Sequence, residues 1–379
     1  MTISLATPLL GGLTPEQFMR RHWQKKPLLV RGAVPDAKPP IERAALFDLA
    51  AREEVESRLV ARGEGRWSLR EGPFARRSLP PVSHPGWSLL VQGLDLHVQA
   101  AHELLARFRF VPDARLDDLM LSWASDGGGV GPHFDSYDVF LLQVQGRRRW
   151  RIGRQRDMSL EPGAPLKILS RFEPEEEWLL EPGDMLYLPP RWAHEGTAEG
   201  ECMTCSIGFR SSRATELACD LLQALVEHTE APEGDRLYAD PRQPATDAPG
   251  RIPATLASFA AKAVEALLHD EDALACSLGE VLSAPKPAVV FEPAAGLVDG
   301  AGLRLDRRSR MMYDDRHVFI NGESYRAAGR DARLMRRLAD TRVLAAAEVA
   351  RLSADAHALL DDWAFAGWLH VMTAGEADG

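Results

Sequence analysis

The spacing of apolar and polar residues predicts short helices and a strand in the N-terminal part of the chain. Thr14, followed by Pro15 and by Gln17 at the third helical position, is typical of a capped helix start, so we predict a helix from there to about Trp23. A strand is predicted over residues 27–31, and further helices over 44–52 and 98–108. Helices and strands are therefore expected to mix before the β-rich part begins.

From 118 to 210, short apolar stretches alternate with Gly and Pro turns, which is typical of a small barrel or sandwich. Beyond 210 the apolar period becomes helical, with a stripe from Leu217 to Val226 and a second predicted helix over 254–268. Residues 230–253 are rich in Pro, Asp and Gly and are predicted to be irregular. The wide apolar faces of the two helices favour a homodimer surface, with packing inside the monomer as the alternative.

The C-terminal part predicts a hairpin flanked by helices. Asn321-Gly322 separates two strand-forming segments, 317–320 and 323–326, and helices are predicted over 330–339 and 354–367. This order is typical of a winged helix. The first of these helices carries four arginines, at positions 330, 333, 336 and 337, so DNA binding is one interpretation. Interspersed aspartates and the acidic chain favour a structural or docking role.

Composition narrows the class of protein. The chain has 379 residues, of which 45% are hydrophobic, so it is long enough for two or three domains with cores. Its net charge of −10 disfavours broad nucleic-acid binding and suits a basic protein partner, but simple solubility is the favoured explanation of the charge. The first residues lack a secretory pattern and no apolar run reaches membrane-spanning length, so a cytoplasmic location and no membrane partner are expected.

The four cysteines are too few for a disulfide framework in a chain of this length. Cys202 and Cys205 have the spacing of a C-x-x-C motif, but no second pair completes a zinc site. Buried thiols on a strand are therefore favoured over redox chemistry or zinc binding.

Two histidines and one aspartate form a candidate metal site. His133 and Asp135 share one face of an extended segment, with Phe134 turned away, because side chains alternate along a strand. A Pro-Gly turn, a short apolar strand and a Pro-Pro corner then present His194. Two imidazoles and one carboxylate are the ligands of a non-haem Fe(II) site with open positions. A chance His-x-Asp pair with structural histidines is the alternative.

Residues 147–152 read Arg-Arg-Arg-Trp-Arg-Ile. Strand alternation predicts that Arg148 faces the same way as Trp150 and Ile152, while the other arginines face solvent. A guanidinium among apolar neighbours suits bidentate binding of a carboxylate.

The segments 133–140 and 145–150, together with Trp-Gln-Lys-Lys-Pro-Leu-Leu at 23–29, closely resemble those of the bacterial JmjC-domain ribosomal oxygenases. The resemblance covers nearly the whole chain. It implies an α+β fold: a JmjC/cupin double-stranded β-helix over 1–212, a helical dimerisation region over 213–280 and a winged-helix-like domain over 281–379. It also implies Fe(II), with 2-oxoglutarate and O2 as co-substrates.

The resemblance assigns roles to individual residues. It makes His133, Asp135 and His194 the iron ligands and Arg148 the partner of the distal carboxylate of 2-oxoglutarate. Ser122 and Ser206 match positions near the co-substrate, although Ser206 is equally placed to face solvent. Asp126 matches a position near the substrate, with a turn-forming role as the alternative, and Tyr137 either walls the substrate channel or packs in the barrel. Gln145 stands where an aromatic residue is expected.

The implied function is hydroxylation of an arginine β-carbon in a basic large-subunit ribosomal protein. Histidyl hydroxylation of a ribosomal protein and N-methyl-lysine demethylation use the same type of site and stay open. The alternative from another class is a non-catalytic cupin and winged-helix protein that binds nucleic acid. The intact ligand set and Arg148 argue against that reading.

Overall fold

The computed structural model describes residues 3–63, 65–228 and 236–372. The chain forms two compact units, one comprising Met1–Ser211 with Pro287–Val290 and the other comprising Ser212–Lys286 with Phe291–Gly379. The predicted mixture of helices and antiparallel strands is confirmed. The division into 1–212, 213–280 and 281–379 stays a prediction.

The helices of the first unit are short and are followed or separated by strands. Its helices are α1 (Pro15–Arg21), α2 (Arg43–Leu49) and α3 (Gln99–Ala106). Its strands are β1 (Leu28–Val30), β2 (Ser57–Gly63), β3 (Arg66–Glu71), β4 (Trp87–Val91), β5 (Leu116–Ala124), β6 (His133–Phe134), β7 (Val139–Gly153), β8 (Glu176–Leu180), β9 (Met185–Leu188) and β10 (Ala193–Phe209). The predicted capping box of Thr14 and Gln17 is confirmed, and α1 ends two residues before the predicted Trp23.

These strands form one antiparallel sheet in the order β1-β9-β7-β10-β5-β4-β2-β3, with β6 added to β10 and β8 added to β7. Aromatic side chains fill its core: the rings of Trp87 and Trp123 lie 4.5 Å apart, and Phe47 packs edge-on against Trp123. Because β10 pairs with β5, β6 and β7, it is the strand that brings their side chains to one place.

A bulge between β7 and β10 determines which side chains of β7 face inward. Glu199 pairs with Arg147 and Met203 with Gln145, so residues 200–202 of β10 lie opposite Gly146 alone. Gly146 has a φ of +62°, and a Cβ there would lie 2.1 Å from the carbonyl oxygen of Glu201. Next to it, Thr204 pairs with Gln143, so Val144 is an extra residue on β7 itself. One extra residue reverses the facing of the residues beyond it. Odd-numbered residues of β7 therefore face inward before the bulge, and even-numbered residues face inward after it.

The second unit has α4 (Ala214–His228), α5 (Ala254–Leu268), α6 (Glu271–Ser283), α7 (Gly329–Thr341), α8 (Ala346–Val349) and α9 (Ala354–Phe365). Its strands are β11 (Leu303–Leu305), β12 (Met311–Tyr313), β13 (His317–Ile320), β14 (Glu323–Arg326), β15 (Val343–Leu344) and β16 (Leu369–Val371). The predicted hairpin is confirmed, with Ile320 paired to Glu323 across Asn321-Gly322. Residues 236–253 contain neither helix nor strand, as expected, and the start of that segment lies outside the described residues.

Two of the four arginines on α7 are engaged with neighbours inside this unit. Arg337 forms an ion pair with Glu348, and Arg336 lies over the ring of Tyr313 and donates to the carbonyl of Asp315. These contacts agree with the structural role that the sequence favoured over DNA binding.

Helices α4 and α5 keep much of their apolar surface exposed. Every residue of α5 except Phe259 is exposed, including Val264 at 52%, and Leu222 on α4 is 46% exposed. Apolar residues at this spacing are expected to be covered in the functional state.

Among the described helices, none is both long and apolar enough to cross a membrane.

The cysteines agree with their predicted structural role. Cys202 and Cys205 are fully buried on β10, and burial raises the pKa of the Cys205 thiol well above its usual value. A thiol held protonated in this way is a poor nucleophile and metal ligand.

We expect Gly146→Ala to destabilise the protein by about 2–4 kcal/mol, because it combines an unfavourable backbone conformation with overlap against β10. Gly200→Ala is the matched control, since Gly200 also has a positive φ but has nothing within 4 Å of its Cβ position. That control should cost only about 1 kcal/mol. Urea denaturation measures both, and equal costs would show that the close approach at the bulge is unimportant.

Candidate metal centre

The three predicted ligands meet at one point of the first unit. His133 on β6 pairs directly with His194 at the start of β10, and Asp135 follows β6. The two imidazole rings lie 4.2 Å apart, and Nε2 of His194 lies 3.6 Å from Oδ2 of Asp135. One ligand atom from each residue lies within 4.8 Å of the others. The predicted convergence is therefore present in the structure.

Backbone hydrogen bonds orient both imidazoles. Nδ1 of His133 donates to the carbonyl of Gly131, and Nδ1 of His194 donates to the carbonyl of Trp192, each at 2.9 Å. A carbonyl only accepts, so each Nδ1 carries a proton and each Nε2 presents a lone pair. Burial, helped by the nearby His133, lowers the pKa of His194 to about 4, while Asp135 opposes the shift. His194 is therefore neutral, as metal binding requires.

These groups lie in a pocket of about 350 Å3. Its walls combine the ligand set with apolar and charged side chains from β2, β5, β7 and β10. From β7 come Val139 and Leu141 before the bulge and Arg148 and Trp150 after it. Phe134, which was predicted to face away, also lines the pocket.

Arg148 is the charged group at the inner wall. It is 6% exposed, and its Nη1 donates to Oγ of Ser122 at 3.2 Å. Among the described residues, its Nε and Nη2 atoms have no hydrogen-bond partner. A buried guanidinium with two unsatisfied donors is complementary to a carboxylate of a bound molecule. The donor set thus fits a small organic acid beside the metal ligands.

The predicted alternation of the arginine run is confirmed by burial. Arg148, Trp150 and Ile152 are buried, whereas the intervening arginines lie on the outer face. There Arg149 contacts Glu177 and Glu199, and Arg151 contacts Glu195.

The remaining predicted residues divide into two groups. Ser122, Ser206 and Tyr137 all line the pocket. Tyr137 stays 40% exposed at its mouth, and partial burial together with the charge of Asp135 raises the pKa of its phenol. Asp126 is exposed, is not among the pocket-lining residues, and accepts a hydrogen bond from the backbone of Gly200. Its position supports the turn-forming alternative.

Several pocket residues were missed in the sequence. Asp118 and Met120 precede Ser122 at two-residue intervals on β5 and line the same wall, so strand alternation alone was enough to find them. The carboxylate of Asp118 is buried and accepts from the backbone of Gly93 at 2.8 Å. Arg58 and Gln92 also contribute, but they come from distant strands and no local pattern indicates them.

The donor set fits an octahedral, redox-active divalent metal. Two imidazoles and one carboxylate can bind such an ion, and the rest of the pocket remains for further ligands. Within the described residues of the site there is no thiol ligand, which a structural zinc site usually has.

Two family models match different parts of this chain, and curated relatives align with part of it. A JmjC domain model matches residues 103–217, and a ROXA-like winged helix model matches residues 266–370. The chain is 40% identical over 228 residues to the ribosomal protein uL16 3-hydroxylase of Escherichia coli K12. It is 38% identical over 209 residues to a probable ribosomal oxygenase of Haemophilus influenzae. These alignments cover 60% and 54% of this chain, and 60% and 52% of the relatives, so they span less than two thirds of either relative.

Solved structures match over a greater length. A crystal structure of Escherichia coli YcfD superposes with a TM-score of 0.84 at 30% identity, covering 95% of this chain and 98% of that one. Another structure shows YcfD in complex with cobalt and 2-oxoglutarate, with a TM-score of 0.81 at 29% identity, 95% coverage of this chain and 99% of that one. The predicted order of a cupin-type sheet, helices and a C-terminal winged helix is thereby confirmed.

Proposed function

Because the chain belongs to the JmjC-domain ribosomal oxygenases, we propose that it is an Fe(II)- and 2-oxoglutarate-dependent hydroxylase of the large-subunit ribosomal protein uL16. The target is the β-carbon of an arginine side chain. The observation that carries this proposal is the presence, in one pocket, of the His-Asp-His ligand set and a buried arginine with unsatisfied donors. Such a substrate places the reaction in the cytoplasm.

His133, Asp135 and His194 would hold the metal through two Nε2 atoms and a carboxylate oxygen. When bound, Fe(II) together with 2-oxoglutarate and O2 would supply the oxidising power that inserts oxygen into a C–H bond. The rest of the pocket would then be free for 2-oxoglutarate and the substrate. The carbonyl tethers of Gly131 and Trp192 prevent the imidazoles from turning their protonated nitrogens toward the metal.

Arg148 binds the far carboxylate of 2-oxoglutarate. Its free Nε and Nη2 donors supply a bidentate contact, and the Ser122 hydroxyl fixes the guanidinium plane through Nη1. Trp150 contacts the same group, with the guanidinium carbon 5.8 Å from the ring centroid, and shields it from water. Ser206 on the adjacent wall is the second proposed hydroxyl beside the co-substrate.

Acidic side chains at the pocket support a cationic substrate group. Asp117, Asp118 and the phenol of Tyr137 line the pocket, as do the basic side chains of Arg58 and Lys167. Carboxylates bind a guanidinium with paired, charge-assisted hydrogen bonds. The name of the Escherichia coli relative specifies uL16 and carbon 3, the β-carbon. A basic ribosomal protein also complements a chain with a net charge of −10.

The test of function is intact-mass and peptide analysis of ribosomal proteins from cells with and without the gene. We expect uL16 to carry one additional oxygen atom on an arginine only when the active enzyme is present. Complementation with His133→Ala should not restore it, because one of the metal ligands is lost. Identical uL16 masses in both strains would contradict the proposal, and oxygen on a histidine or loss of a lysine methyl group would assign one of the other reactions.

We expect Arg148→Gln to raise the KM for 2-oxoglutarate by about 30-fold or more, since an unpaired buried carboxylate costs roughly 2 kcal/mol or more. Arg148→Lys should recover part of this loss, because it keeps the charge and loses the bidentate geometry. Arg149→Gln is the control on the outer face of the same strand. Steady-state kinetics with varied 2-oxoglutarate measures all three, and an unchanged KM in Arg148→Gln would move the carboxylate contact to another residue.

The protein is also proposed to act as a homodimer through α4 and α5. The exposed apolar side chains of Leu222 and Val264 support this proposal. The double variant Leu222→Glu/Val264→Glu should sediment as a monomer while the parent sediments as a dimer. Val298→Glu is the control, since Val298 is 58% exposed and lies outside these helices. A monomeric parent chain would reject this proposal.

A further inference from the structure

A second cluster of metal-ligating side chains lies in the second unit, where α6 packs on β13. Asp272 and Cys276 are four residues apart and therefore share one face of α6. His317 and Phe319 share one face of β13, and a Cβ at Gly279 would lie 2.2 Å from the ring of Phe319. The glycine thus permits the close approach that brings His317 against Asp272 and Cys276.

His317 is almost completely buried and its protonation is set by a neighbour. Its side chain is 1% exposed, and its Nδ1 lies 3.1 Å from a carboxylate oxygen of Asp314. A carboxylate only accepts, so Nδ1 carries a proton, and in the neutral tautomer Nε2 is an acceptor. Nε2 has no hydrogen-bond partner among the described residues. Oδ1 of Asp272 lies 3.4 Å from Nε2.

Oδ1 of Asp272 is also buried and without a hydrogen-bond partner in the described part of the chain. In the neutral tautomer the lone pairs of Nε2 and Oδ1 are buried close together, which is unfavourable without a bound proton or cation. A cation between the two atoms satisfies both acceptors. The thiol of Cys276 is the third candidate ligand, and one ligand atom from each of the three residues lies within 4.8 Å of the others. Burial raises the pKa of this thiol, so binding of the cation has to displace its proton.

We propose that Asp272, Cys276 and His317 form a binding site for a thiolate-preferring divalent cation such as Zn²⁺. Ligand atoms around tetrahedral Zn²⁺ lie roughly 3.3–3.6 Å apart, which matches the Nε2–Oδ1 separation of 3.4 Å. Asp314 behind His317 completes the carboxylate–histidine–metal arrangement that fixes ring orientation in zinc sites.

Two arginines oppose the cation and tune its affinity. Arg326 contacts the other oxygen of Asp272, and Nη1 of Arg316 lies 3.4 Å from Oδ1. The positive charges of the two arginines weaken the binding of a metal ion to the carboxylate of Asp272. The site is independent of the proposed hydroxylation, since all of its residues belong to the second unit.

Cobalt spectroscopy of the full chain distinguishes this site from the JmjC centre. Only a site with a thiolate ligand gives a thiolate-to-cobalt charge-transfer band, and the JmjC ligands are two histidines and an aspartate. We expect the band in the parent chain and in the His133→Ala variant. In His133→Ala the band should saturate at one equivalent of Co²⁺. Added Zn²⁺ should abolish it. Absence of the band from both proteins in tenfold excess of Co²⁺ would overturn the proposal and leave His317 as a cation held by its two aspartates.

Cys276→Ser should lose the band, whereas Cys219→Ser should keep it, because Cys219 is exposed on α4 outside the cluster. A band that survives in Cys276→Ser rejects the assigned thiolate. Zinc-edge X-ray absorption of Zn²⁺-loaded His133→Ala is a second measurement that does not depend on folding of the cysteine variant. It should show one sulfur ligand, and a spectrum with oxygen and nitrogen ligands alone would also reject the site.

Arg326→Gln provides a readout that a purely structural cluster would not give. Removing the charge of Arg326 should tighten Co²⁺ binding roughly tenfold, because the guanidinium then no longer competes with Co²⁺ for Asp272. Asp272→Asn should weaken binding by a similar factor. Unchanged affinity in both variants would contradict the role of Asp272 as a ligand.

Discussion

A guanidinium buried without a counter-charge is the constraint on which the first unit depends. The guanidinium of Arg148 stays charged. Burying it to 6% exposure is therefore costly unless an anion pairs with it. The hydroxyl of Ser122 and the ring of Trp150 offset part of that cost. The remaining donors, Nε and Nη2, are complementary to the carboxylate of an organic acid. The sheet holds this charge inside because β7 is paired on both sides, by β10 and by β8 and β9.

The opposite face of the same strand shows how the chain separates its charges. Three arginines that alternate with Arg148 and its apolar neighbours find glutamates on β8 and β10. Exposed pairs of this kind add little stability individually. Their effect is on specificity, because a shift of register by one residue would bury three guanidinium groups and expose the one that the pocket needs.

Local patterns predicted much of the fold and part of the site. The alternation at 147–152, the capped start of α1 and the Asn321-Gly322 hairpin depend on neighbours in sequence, and all are present. The bulge opposite Gly146, the apposition of His133 and His194, and the contributions of Arg58 and Gln92 depend on pairing between distant strands. The substrate contact expected of Asp126 stays a prediction, since its carboxylate accepts from the backbone of Gly200 and it is not among the pocket-lining residues. The cluster at Asp272 joins a helix and a strand that no spacing rule connects.

The tethers of the two JmjC histidines also have a consequence for how the protein exchanges its metal. Each imidazole is fixed by a carbonyl only two residues away in its own chain, so its ring orientation does not rely on the ion. Little rotamer entropy is then lost when the ion enters, and little rearrangement follows when it leaves. The ligand set is therefore preorganised for a metal ion, and binding or loss of that ion need not pass through unfolding of the sheet.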